Sequence, residues 1–195
     1  MGIRTFIGIA LGTHMRETLI ECGDRIRHAA VSWRGQKWVS AENLHLTLAF
    51  LGTLPEDAID EVARLASEAC TSTAVYTVSL GELAAVPRLR TARMIWSSID
   101  AGAVETSMLA NALAEKLSAV GYEPPDRAFD PHITLVRARD PQPLPFEAID
   151  AANRLLFATD ERDSAMSVRG ITVYSSMLTP RGPVYDELAF LSFPG

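Results

Sequence analysis

The sequence predicts an α+β fold built as two similar lobes that face each other. Three observations point to it. Segments with strand-like alternation of apolar and polar residues are interleaved with segments of helical periodicity. A short polar motif, His-apolar-Thr-apolar, occurs twice, at His45-Leu46-Thr47-Leu48 and at His132-Ile133-Thr134-Leu135. No stretch rich in Gly, Ser or charge separates the copies, so residues 1–195 read as a single bilobal domain.

The elements follow in order. Phe6 to Leu11 reads as a strand ending at Gly12, and residues 14–30 as a helix with Met15, Leu19, Cys22 and Ile26 on one face. Trp38-Val39 and Leu44 to Leu51 read as strands, the second closed by Gly52. Pro55 is expected to open a helix whose inner stripe is Ile59, Val62, Leu65, Ala66 and Ala69. Val75 to Leu83 and Met94 to Ile99 alternate as strands. Residues 103–119 form an amphipathic helix stopped at Val120-Gly121. His132 to Ala138 is a strand, followed by a bend at Pro141, Pro143 and Pro145, and then by 147–158 as a short helix or irregular segment. Ser167 to Met177 and Val184 to Phe193 read as strands flanking the turn Thr179-Pro180-Arg181-Gly182.

Composition narrows the function. Apolar residues make up 48% and charged residues 22% of the 195, which fits a globular protein with a real core. No run approaches the roughly 18 apolar residues of a membrane helix, and the apolar N-terminal stretch is too short for a signal-peptide core, so a cytoplasmic protein is expected. Cys22 and Cys70 are far apart and read as buried thiols in a reducing compartment. The net charge of −6 argues against a broad basic face for long nucleic acid, so an RNA substrate would be gripped locally. Local cations exist at Arg88, Arg90 and Arg93, and at Arg137 and Arg139. An acidic shell around a cationic pocket still focuses an anion.

The duplicated motif carries the chemistry. Side chains alternate faces along a strand, so His45 and Thr47 share one face while Leu44, Leu46 and Leu48 share the other. The same holds for His132 and Thr134 against Ile133 and Leu135. A single such strand would read as a solvated histidine. Two copies, 87 residues apart and holding half of the four histidines, read as a site. Imidazole titrates near neutrality, so one ring accepts a proton while the other donates one. The threonine hydroxyls suit non-bridging phosphate oxygens. The set fits in-line displacement at a phosphodiester without a metal-activated nucleophile, each paired group contributing roughly 10²–10⁴-fold.

Trp38 with Asn43-Leu44-His45-Leu46-Thr47-Leu48 and Phe50-Leu51-Gly52, and Phe129-Asp130-Pro131-His132-Ile133-Thr134-Leu135-Val136-Arg137, resemble the two signatures of the two-histidine phosphoesterase superfamily. Arg4-Thr5-Phe6-Ile7, Val86-Pro87 with Arg93-Met94-Ile95-Trp96, and Gly182 to Leu188 extend the likeness over most of the chain, within the RNA 2',3'-cyclic phosphodiesterase or 2'-5' RNA ligase family. Val136, and Ser97-Ser98 after Trp96, depart from the usual pattern. The resemblance implies two pseudo-symmetric lobes around a central cleft, each an antiparallel sheet with flanking helices. It implies opening of RNA 2',3'-cyclic phosphate ends to 2'-phosphates with no metal and no cofactor. His132 would activate water, His45 would protonate the leaving 3' oxygen, and Thr47, Thr134 and Arg137 would hold the phosphate.

Phe129 is a candidate nucleoside contact. Trp33, Trp38, Trp96 and Tyr185 are expected to pack rather than to touch a ligand, and His14 and His28 to face solvent. The expected partners are RNA 3' ends or small cyclic nucleotides, with no protein partner and a monomeric state. Alternatives are reversible 2'-5' ligation in the same site and a non-catalytic RNA-end binding module. A zinc site on His45 and His132 lacks further ligands of the right type.

Overall fold

The structure is a computed structural model that describes residues 2–180 and 182–194. Its centre is an antiparallel sheet of β1 (Gly2–Ala10), β2 (Lys37–Trp38), β3 (His45–Pro55), β4 (Tyr76–Val86), β5 (Ala92–Ile99), β6 (His132–Gln142), β7 (Ala165–Val168), β8 (Gly170–Thr179) and β9 (Gly182–Ser192). The strands run in the order β7-β4-β5-β6-β3-β1-β8-β9, with β2 paired to β6. β3 and β6 meet in the middle through one registered pair, Leu46 with Ile133. Each is flanked by three strands on its own side, giving the two pseudo-symmetric halves.

Five helices, α1 (Thr13–Ala29), α2 (Ile59–Cys70), α3 (Ala103–Leu117), α4 (Phe146–Ala158) and α5 (Glu161–Ser164), complete the α+β architecture among the described residues. None is long and apolar enough to cross a membrane. α1 packs on α4, and α2 on α3. α1 also reaches β6 and α3 reaches β3, so each half lends a helix to the other's strands. The apolar stripes that do this are those of the sequence: Met15, Leu19, Cys22 and Ile26 on α1, and Val62, Leu65, Ala66 and Ala69 on α2. Burial pushes the Cys22 thiol up to about 12 and Cys70 to about 11, so both behave as small apolar core residues.

Several expected boundaries move. β1 starts at Gly2 and ends at Ala10. β3 runs on to Pro55, and α2 begins only at Ile59 after a 3-10 turn over Glu56–Ala58. β6 passes through Pro141 to Gln142, which pairs with Ala92. The 147–158 segment is a regular helix, α4, because Pro145 sits just before its first turn, where a missing N–H costs nothing. The strand expected over Ser167 to Met177 is two strands. β7 pairs with β4, β8 pairs with β1, and the break at Arg169 carries the chain from one end of the sheet to the other. The turn after β8 includes Arg181, which lies outside the described residues; Thr179 and Gly182 on either side of it are paired.

One buried polar residue joins the layers. Asn153 on α4 is 9% exposed, and its side chain accepts from Leu83 N–H at 2.8 Å and donates to Leu83 C=O at 3.1 Å. Leu83 sits where the β4–β5 register shifts, so its backbone groups need this outside partner. Asn153→Leu leaves both unpaired and is expected to destabilise the protein by about 2–5 kcal/mol. Urea unfolding checks this as a lower midpoint with an unchanged slope.

Candidate active site

The two motifs come side by side. Leu46 and Ile133 face each other across the β3–β6 seam with no exposed surface, so His45, Thr47, His132 and Thr134 project from the opposite face of the sheet. On that register His45 lies opposite Thr134, Thr47 lies opposite His132, and the two histidines are diagonal neighbours at about 7–8 Å by ladder geometry.

The first six residues of β3 and β6 show the same burial pattern, half-buried, buried, half-buried, buried, buried, exposed. The consecutive buried pairs, Leu48-Ala49 and Leu135-Val136, mark a bulge in each strand, where the pairing with β1 and with β5 shifts by one residue. Strict alternation would put Arg137 on the apolar face with Ile133 and Leu135. The bulge returns it to the histidine face, and the matching bulge in β3 does the same for Phe50.

A cavity of about 370 Å³ opens on this face, lined by His45, Thr47, Thr134 and Arg137 among others. His132 is not among the residues that line it; Thr134, two residues further along β6 on the same face, is. Both rings are held alike: His45 Nδ1 lies 2.7 Å from the Asn43 carbonyl and His132 Nδ1 lies 2.7 Å from the Asp130 carbonyl. A carbonyl only accepts, so the proton of each neutral ring sits on Nδ1 and Nε2 faces the site as an acceptor. Thr47 Oγ1 donates to His45 Nε2 at 2.9 Å.

Burial depresses both imidazoles below the ordinary histidine value, and the Arg137 cation pushes both the same way. The carbonyl hydrogen bonds oppose this, and at His132 the Asp130 charge does too. Burial raises the Tyr185 phenol while Arg137 and Arg4 pull it down, which places both cations within electrostatic reach of one ring. Among the described residues no three His, Cys, Asp or Glu side chains group as metal ligands.

The halves are decorated differently. Gly8 pairs with Thr47 on one side, and Trp96 pairs with Thr134 at the equivalent place on the other. A Cβ on Gly8 would come 2.9 Å from the Leu46 carbonyl and 3.4 Å from the His45 ring, so glycine leaves that ring its room. His45 then packs between Phe6, at 4.8 Å between ring centres, and the edge of Tyr185, at 5.4 Å. Trp96, in contrast, covers His132 at 4.1 Å, and Thr134 Oγ1 lies 3.7 Å from Met94 Sδ.

Trp96 and Tyr185 project from the same side of the sheet as the motifs: Trp96 packs against His132, and Tyr185 packs against Phe6 and His45 while also lining the cavity. Trp33 and Trp38 do pack, their indole N–H groups donating to the Pro143 and Trp33 carbonyls. Phe129 is half-buried and packs against the apolar core rather than lining the cavity. Arg88, Arg90 and Arg93 are exposed and also lie outside its lining. His14 and His28 are exposed, as expected.

Arg4 and Phe50 line the cavity and were not singled out by the sequence. The signal for Phe50 was present: it stands five residues after His45, as Arg137 stands five after His132.

Known proteins share the sequence and the fold. Residues 22–176 match the family model described as the 2'-5' RNA ligase superfamily. A protein of Aeropyrum pernix named RNA 2',3'-cyclic phosphodiesterase is 32% identical over 85% of this chain and 89% of its own. One of the same name from Archaeoglobus fulgidus is 31% identical over 79% and 82%. The crystal structure of TT0787 of Thermus thermophilus covers 97% of both chains at TM-score 0.77 and 29% identity. That of E. coli LigT complexed with 3'-AMP covers 100% of both at TM-score 0.74 and 25% identity. The fold, the paired histidine motifs and these likenesses agree: the chain belongs to the 2'-5' RNA ligase superfamily.

Proposed function

We propose that the protein opens 2',3'-cyclic phosphate ends of RNA to 2'-phosphates, with His45 and His132 as paired acid and base. The observation that carries this reading is the β3–β6 seam, which sets two His/Thr pairs on one face beside a cavity bearing Arg137. The names of the Aeropyrum pernix and Archaeoglobus fulgidus relatives support the same substrate class.

In the proposed reaction the cyclic phosphate sits between the two rings. His132 Nε2 takes a proton from water, the water oxygen attacks phosphorus, and the bond to the ribose 3' oxygen breaks. That oxygen leaves with a proton from His45 Nε2. The hydroxyls of Thr47 and Thr134 and the guanidinium of Arg137 meet the non-bridging oxygens, where charge grows. Thr47 now bonds His45 Nε2, so turning its hydroxyl to the phosphate frees that nitrogen for its proton.

In the free enzyme burial, and after it the Arg137 cation, disfavour the imidazolium form of both rings. The bound phosphate anion acts in the opposite sense and restores the proton that the acid must deliver. The two rings share a charged centre, so their titration belongs to the pair.

Each of His45→Ala and His132→Ala is expected to lower turnover of a nucleoside 2',3'-cyclic phosphate by at least about 10²-fold. Near wild-type rates in either variant overturn the proposal. The kcat/KM profile is expected to be a bell centred below about pH 6.5, since both free-enzyme values are depressed, with the kcat bell displaced to higher pH by the bound anion. Arg137→Gln removes the cation that lowers both rings. Both limbs of kcat/KM are expected to move up in pH while the rate falls by about 10²–10³-fold; limbs that stay in place contradict this.

A further inference from the structure

Arg4 is a second cation in the cavity, and the reaction proposed above does not use it. β1 is regular through this region, so Arg4, Phe6 and Gly8 share the cavity face. Gly8 is level with Thr47, and Phe6 lies under His45. Arg4 is the next residue out on the same face, with its guanidinium carbon 4.5 Å above the Phe50 ring. Phe50 pairs with Phe6, two strand positions from the Gly8–Thr47 pair, or about 7 Å along the strand.

The cavity therefore carries two guanidinium groups, Arg137 on β6 within electrostatic reach of both histidines and Arg4 on β1, four residues from Gly8. Neither is ion-paired to a carboxylate among the described residues, and no carboxylate lines the cavity, although the chain carries a net charge of −6. Two cations lining one cavity without a carboxylate form a site for two anionic groups. A single cyclic phosphate engages only one of them.

We infer that Arg4, steadied on Phe50, binds the internucleotide phosphate on the 5' side of the terminal nucleoside, so that the site is built for the end of an oligonucleotide and not for a free cyclic mononucleotide. The inference rests on the reading of the site as a cyclic phosphodiesterase. Arg4 binds without touching the reacting atoms, so its contribution appears as a preference for length and not as chemistry. The same arrangement keeps the grip local, which suits a protein with an acidic surface.

The test compares adenosine 2',3'-cyclic phosphate with a diadenylate ending in a 2',3'-cyclic phosphate, using the wild type and Arg4→Gln, an exposed position that tolerates the change. Wild type is expected to show higher kcat/KM on the dinucleotide. Arg4→Gln should lower that value by about 10-fold, the size of one charge-assisted hydrogen bond, and leave the mononucleotide within about twofold. The salt dependence on the dinucleotide should shrink by about one phosphate contact. Equal losses on both substrates, no loss on the dinucleotide, or no wild-type preference for it overturns the inference. Failure of the wild type to open either substrate overturns the proposed function itself.

Discussion

The structure turns on the single registered pair between Leu46 and Ile133. Both side chains are completely buried, and each sits between a histidine and a threonine in sequence. Because side chains alternate, burying these two on one face forces four polar groups onto the other. A slip of one residue in that register would bury the histidines and expose the leucine. Hydrophobic burial at the seam therefore does the positioning, and the polar groups need no contact with one another to be brought together.

Around that seam the frame is symmetric and the lining is not. β3 and β6 repeat the same bulge, and each histidine is tied through Nδ1 to the carbonyl two residues before it. Yet Gly8 beside Thr47 stands where Trp96 stands beside Thr134, and Phe50 stands where Arg137 stands. The side with glycine keeps an open cavity beside His45, whereas the side with tryptophan has an indole against His132. A duplicated scaffold thus supplies two imidazoles held alike through Nδ1, and their neighbours differ.

Much of this was legible in the sequence. The alternation in both motifs gives the site face directly, and the helical stripes of α1 and α2 were read residue by residue. What escaped depends on register or distance. The bulges need knowledge of the neighbouring strand, although the apolar doublets Leu48-Ala49 and Leu135-Val136 are their trace. The break at Arg169 is invisible because residues on both sides keep strand character while their partners lie at opposite ends of the sheet. Tyr185 and Arg4 enter the site from the two strands nearest the chain termini, and no local pattern shows that β9 and β1 converge there. Phe129 was drawn toward the site by its closeness in sequence to His132, but its ring packs on the core instead.

The central claim is that the two imidazoles act on one phosphorus centre. The most direct measurement is a nitrogen-15 NMR titration of both rings with and without a nucleoside 2'-monophosphate. A shared centre predicts that the anion raises the pKa values of His45 and His132 together, and that replacing either ring alters the titration of the other. A ligand that shifts one ring while the other titrates unchanged would contradict it.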